Sequence, residues 1–177
     1  MNRWAWLVAL SLIAISGPAA VQTDPWAPIR RMVGEWSGTT SGQPGDGTVA
    51  RRYAFVLNDR YLHETNTSEY PPQERNTKGE RHEHWSLFSH DRQLKALALR
   101  QFHVEGFVNT YKQAASDSAP DTVVFESVAF ENLPSEWKAR ETYRFVGDDE
   151  FIETFELAPP GKPYQIYSRA QMKRVRR

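Results

Sequence analysis

Gly34-Glu35-Trp36-Ser37-Gly38 reads as the opening strand of an antiparallel β-barrel. The two glycines permit close backbone approach, and the one large ring between them is suited to plugging a barrel's base. Beyond this stretch the pattern is β almost throughout. Strands are expected at 34–40, 48–57, 60–68, 79–90, 94–103, 106–114, 121–129, 137–146, 150–157 and 163–174. Several of them alternate in polarity, as at Tyr53, Phe55 and Leu57, or Phe151, Phe155 and Leu157. That period of two belongs to a half-buried strand.

Turn chemistry separates these segments: Asn58-Asp59, His90-Asp91-Arg92-Gln93, Gly147-Asp148-Asp149 and Pro159-Pro160-Gly161. Tyr70 through Lys78 forms one longer polar excursion. On the other side of Gly34, Asp24 followed by Pro25 has the form of a helix cap and first turn. A short helix is therefore expected over 24–32, with Trp26, Ile29 and Met32 on one side. The fold class is all-β. About ten consecutive hairpin-linked strands favour an up-and-down barrel over a sandwich, because closure removes exposed edges. Such a barrel has room for a ligand.

The N-terminus carries Arg3, an apolar run from Trp4 to Ile15, and then Gly17-Pro18-Ala19-Ala20. This is the layout of a secretory signal peptide over 1–20, too short for the roughly 20 apolar residues of a membrane span. The expectation is a periplasmic or secreted protein, with residues 24–177 forming one barrel domain and no membrane association after cleavage. The chain has no cysteine, which excludes disulfides, thiolate metal sites and a cysteine nucleophile. It carries 22 basic and 22 acidic residues with interspersed signs, which argues against a nucleic-acid partner.

Ile29-x-x-Met32-x-Gly34-x-Trp36-x-Gly38 resembles the opening of nitrobindin-like barrels, a branch of the lipocalin-like (calycin) group. The resemblance continues through Tyr53-x-Phe55, Tyr61-Leu62, His82-Glu83, His103 with Gly106, and Gly161-x-Pro163-x-Gln165-x-Tyr167. Arg100-Gln101-Phe102-His103 and Glu105-Gly106-Phe107 look closer still to uncharacterised bacterial members of the group. The resemblance implies a barrel with an internal site. In nitrobindin-like proteins a histidine of the final strand is the axial ligand of haem iron. Tyr167 stands at the matching position here, and no histidine follows His103.

Tyr167 and Arg169 lie two apart in the last strand, so a regular strand puts both on one face. A guanidinium fork beside a phenol would clamp a carboxylate or phosphate. Fatty-acid-binding proteins resemble this arrangement, with the order reversed. His103, at a strand end beside Glu105, is a second candidate for contact with a ligand. His82 and His84 could begin a zinc site, but a third and fourth ligand are needed. His63 or Glu64 from the preceding strand could supply one, and nothing in the sequence fixes that pairing. The expectation is therefore solvent-facing histidines and no metal site. Glu83 and Trp85 would then point inward, with Glu83 a partner for Arg100 or Arg140.

No serine stands in a Gly-x-Ser-x-Gly elbow, so no catalytic residue is assigned. The sequence thus reads as an exported barrel holding a small hydrophobic or amphiphilic molecule, with an acidic head group suited to the clamp. Tyr167, Arg169, His103, Arg100 and Glu83 are the ligand-binding candidates. Two alternatives stay open: a haem binder with Tyr167 as axial ligand, and a barrel enzyme using a glutamate–histidine acid–base pair.

Overall fold

A computed structural model describes residues 24–74, 76–115, 120–133 and 136–176. The expected leader over 1–20 lies outside the described residues. Ten antiparallel strands close on themselves, each paired with its neighbours in sequence and β1 paired with β10. They are β1 (Gly34–Gly42), β2 (Gly47–Val56), β3 (Tyr61–Tyr70), β4 (Glu80–Asp91) and β5 (Ala96–His103). The circuit continues through β6 (Val108–Gln113), β7 (Thr122–Glu131), β8 (Lys138–Phe145), β9 (Glu150–Ala158) and β10 (Gln165–Arg174). Every ladder is a hairpin except the β1–β10 seam that closes the barrel.

Gly38 explains that seam. It pairs with Met172 on β10, and a Cβ at position 38 would fall 1.9 Å from the Gln171 carbonyl oxygen. Two residues earlier, the buried Trp36 ring fills the base, where its Nε1 donates to the Met32 carbonyl at 2.7 Å. Phe151 meets it edge-on at 4.7 Å, and the Arg174 guanidinium covers it at 4.3 Å. Arg174 in turn donates to the carbonyls of Val33, Arg31 and Asp148 and pairs with Asp149. The last strand is therefore tied to the segment that precedes the first.

That segment corrects one expectation. Residues 24–32 do not form an α-helix; they wind through turns into a single 3-10 turn, Arg30–Met32. Pro28 supplies the reason, since it has no N–H for a helical bond to Asp24 and restricts Ala27 before it. Asp24 still caps the segment, accepting from the Trp26 amide at 3.1 Å and pairing with Arg30. Trp26, Ile29 and Met32 are buried against the base as expected.

Above this plug the lower barrel is a dry core of Tyr53, Leu62, Phe88, Leu99, Phe125 and Phe151. Each such ring or branched side chain contributes roughly 1.5–3 kcal/mol by leaving water. Further up, the inward positions turn polar, and the barrel opens into a cavity.

A candidate ligand cavity with a charged floor

Arg51 forms the centre of the cavity floor. It sits on β2 between Val49 and Tyr53, all three pointing inward at a spacing of two. Its Nε donates to Asn66 Oδ1 at 2.9 Å and lies 3.4 Å from Glu64 Oε1; its Nη2 bonds Glu153. The Tyr53 hydroxyl donates to the same Glu64 oxygen at 2.9 Å. A buried arginine thus faces two buried carboxylates. Burial alone would raise the Glu64 carboxyl, but Arg51, then His84 and Ser86, outweigh it and hold it at about 2. Glu141 goes the other way: burial, then the charge of Glu153, push its carboxyl well above the usual range. One floor carboxyl is thus held low and the other pushed high, a separation set by environment.

Three imidazoles stand on the wall beside this floor. His82 and His84 alternate inward on β4, and His103 lies directly opposite His84 on β5. His82 Nε2 is 3.4 Å from both His84 Nδ1 and His103 Nδ1. Burial, and then the neighbouring His84 and His82, lower the His103 imidazole to about 3, so it is neutral at ordinary pH. The Phe107 ring stacks on His103 at 4.1 Å.

The cavity above measures about 550 Å³. Its apolar wall is Phe107, Phe130, Leu133, Trp137, Phe155 and Leu157, while Tyr70, Glu80 and Glu105 also line it. Leu133 and Trp137 are two-fifths exposed, which places them at the mouth. Several buried polar atoms along the interior, among them Gln101 Oε1, Glu141 Oε2 and the Tyr143 hydroxyl, have no protein hydrogen-bond partner, and Glu64 Oε2 and His84 Nε2 only face each other at 3.7 Å. Such groups are rare in a dry core and suit an interior that receives water or a polar ligand.

The candidates named from sequence divide. Tyr167 and His103 line the cavity; Arg169, Arg100 and Glu83 do not. Arg169 is exposed because β10 carries a bulge: Ile166 pairs with Glu156 and Ser168 with Phe155, leaving Tyr167 as the extra residue. Tyr167 and Ser168 therefore both reach the cavity, and Arg169 falls on the outer face with Gln171 and Lys173. Arg100 is exposed and pairs with Glu131 at 2.7 Å, while Glu83 pairs with Arg81 at 2.6 Å. The β4 expectation is inverted. His82 and His84 share the inward parity of Ser86 and the fully buried Phe88, whereas Trp85 is 62% exposed. An outward Trp85 is stable here because its ring packs edge-on against His63 at 5.5 Å.

Arg51, Asn66, Gln101 and Asn109 were not singled out from sequence, yet they line the site. The signal for Arg51 was present, because it shares the parity of Tyr53 and Phe55. Tyr167 lines the cavity as a half-buried phenol, its pKa pushed up by burial and then by Glu80, Tyr70 and Glu105.

No family model matches the chain, and no curated protein matches it. Among solved structures it is similar to Rv2717c from M. tuberculosis, with a TM-score of 0.64 at 17% identity. The match covers 87% of this chain and 99% of that one. At this identity the likeness concerns the fold alone, a closed antiparallel β-barrel.

Proposed function

We propose that this barrel binds a small amphiphilic molecule, apolar body against the aromatic wall and polar end on the Arg51–Glu153 floor. The observation that carries the reading is the pairing of a 550 Å³ cavity, half-walled by aromatic and aliphatic side chains, with unpartnered buried polar atoms. The preferred polar end differs from the acidic group expected from sequence. Arg51 already faces Glu64 and Glu153, and two more carboxylates, Glu80 and Glu105, line the cavity. A neutral donor group or an amine suits this field; a carboxylate would meet uncompensated negative charge.

The test is a matched series sharing one alkyl chain, an amine, an alcohol and a carboxylate, each displacing a neutral fluorescent dye such as Nile red. The alcohol and amine should displace it at least tenfold more strongly than the carboxylate, about one charge-assisted hydrogen bond. Equal displacement by all three, or the best displacement by the carboxylate, contradicts the proposed polarity. Export completes the reading: the apolar run from Trp4 to Ile15 supports cleavage near Ala20. N-terminal sequencing of protein from the native envelope that starts at Met1 would remove it.

One observation favours a second reading. Glu141, Glu153 and His103 line the same cavity, Glu141 with a raised and His103 with a lowered pKa. Groups pushed apart in this way can serve as acid and base, so a barrel enzyme is the alternative. Product formed from a bound amphiphile, and abolished in Glu141→Gln, would establish it.

A further inference from the structure

Three imidazole nitrogens converge where the sequence supplied only two. One ring nitrogen from each of His82, His84 and His103 lies within 4.8 Å of the others. The two separations from His82 Nε2 are 3.4 Å each. Nitrogens held at about 2.0–2.1 Å around a tetrahedral zinc ion are about 3.3–3.4 Å apart. Hydrogen bonding among the rings explains the arrangement less well. His82 Nε2 offers either one proton or one lone pair, and 3.4 Å is long for an N–H donor.

Behind each ring stands a group that turns its other nitrogen away from the cluster. His82 Nδ1 meets Glu105 Oε1 at 2.9 Å, and His84 Nε2 lies 3.7 Å from Glu64 Oε2. His103 Nε2 faces the Asn109 side-chain amide at 3.2 Å, and that amide also contacts the Tyr111 hydroxyl at 3.1 Å. Asn109 Oδ1 is without a partner in this orientation. Turning the amide over presents Oδ1 to both the His103 N–H and the Tyr111 hydroxyl, satisfying all three. His82 and His103 then have an acceptor on the outer nitrogen and a lone pair directed inward, the usual support of a metal-binding histidine, while the Glu64 carboxylate faces the outer nitrogen of His84 at 3.7 Å.

We propose that His82, His84 and His103 form a binding site for a divalent first-row transition-metal ion of the zinc class, its remaining coordination position open to the cavity. Three imidazoles without thiolate suit zinc, copper, nickel or iron rather than magnesium or calcium. All three side chains line the cavity, so a ligand or water there can reach the ion. The ion needs no organic ligand, so metal binding is tested without the proposed amphiphile. A competing set, Glu80, His82 and Glu105, shares only His82 and lies further out.

The experiment uses untagged full-length protein freed of metal with a chelator, then titrated with Co2+ and back-titrated with Zn2+. One equivalent of Co2+ should bind with the intense visible absorption of four-coordinate cobalt, and one equivalent of Zn2+ should displace it. His84→Gln and His103→Gln should each abolish that spectrum, and His63→Gln, on the outer face, should keep it. Glu105→Gln should weaken binding about tenfold to a hundredfold. Circular dichroism checks folding; if buried His84 cannot be replaced, His103→Gln carries the test. No stoichiometric binding overturns the proposal. So does binding that survives in folded His103→Gln, which would place the ion elsewhere.

Discussion

His84 and His103 are registered partners across the β4–β5 ladder, with ring centroids 5.2 Å apart inside the barrel. The relationship depends on register alone. A slip of one residue would send one ring outside and place Trp85 or Phe102 in the cavity instead. The fully buried Phe88 and Leu99, paired on the same ladder, hold that register by anchoring both strands in the dry core below. Packing at the base thus sets the chemistry of the wall above it.

The floor makes a stability prediction. Arg51→Met removes the cation facing Glu64 and Glu153 and leaves two buried carboxylates without it. Breaking a buried pair in this way costs about 3–5 kcal/mol. Urea unfolding should show the loss, and adding Glu64→Gln and Glu153→Gln to Arg51→Met should recover part of it. A single variant as stable as wild type would mean that the guanidinium is not the partner of these carboxylates.

Glu141 predicts a pH effect of definite sign. Its folded-state pKa is raised, by burial first and then by Glu153. The folded chain therefore keeps a proton that the unfolded chain releases above the ordinary carboxylate range. Its contribution is fully present at low pH and falls as pH rises toward and through the raised value. Glu64, held at about 2, works in reverse: its contribution is present above the unfolded carboxylate pKa and lost as pH falls through about 2. Glu141→Gln should gain stability over wild type as pH rises above the ordinary carboxylate range, within about pH 5 to 8. Melting temperatures of the two proteins at several pH values test this; a constant difference across that range would contradict it.

The outer face of β10 supplies a negative control. Arg169 stands outside the cavity because of the Tyr167 bulge. Arg169→Ala should leave the dye and alkyl-series affinities within about twofold of wild type, well below one charge-assisted contact. A tenfold loss for the carboxylate alone would restore the clamp expected from sequence.

Much of the fold was legible from sequence. Alternation and turn residues located all ten strands, and Gly34-x-Trp36-x-Gly38 located the base, with Gly38 where a Cβ would strike the Gln171 carbonyl of β10. The site was less legible for two physical reasons. A one-residue bulge at Tyr167 shifts parity without any change in composition, so Arg169 and Tyr167 looked like partners and are not. Polarity also misleads in a barrel with a wet interior. On β4 the more apolar pair, Trp85 and Leu87, faces out, while His82, His84 and Ser86 face in. Convergence of residues far apart in sequence, such as Arg51 with Glu153, depends on barrel closure, which no local pattern carries.

The measurement that bears most directly on ligand binding is an isotope-filtered nuclear Overhauser spectrum of labelled protein with the bound alkyl alcohol. The account predicts contacts from the alkyl chain to the rings of Phe130 and Phe155 and to Leu157, with the hydroxyl-bearing carbon nearest the Glu153 and Gln101 side chains. Contacts confined to the outer strand faces, around Trp85 or Ile166, would contradict it.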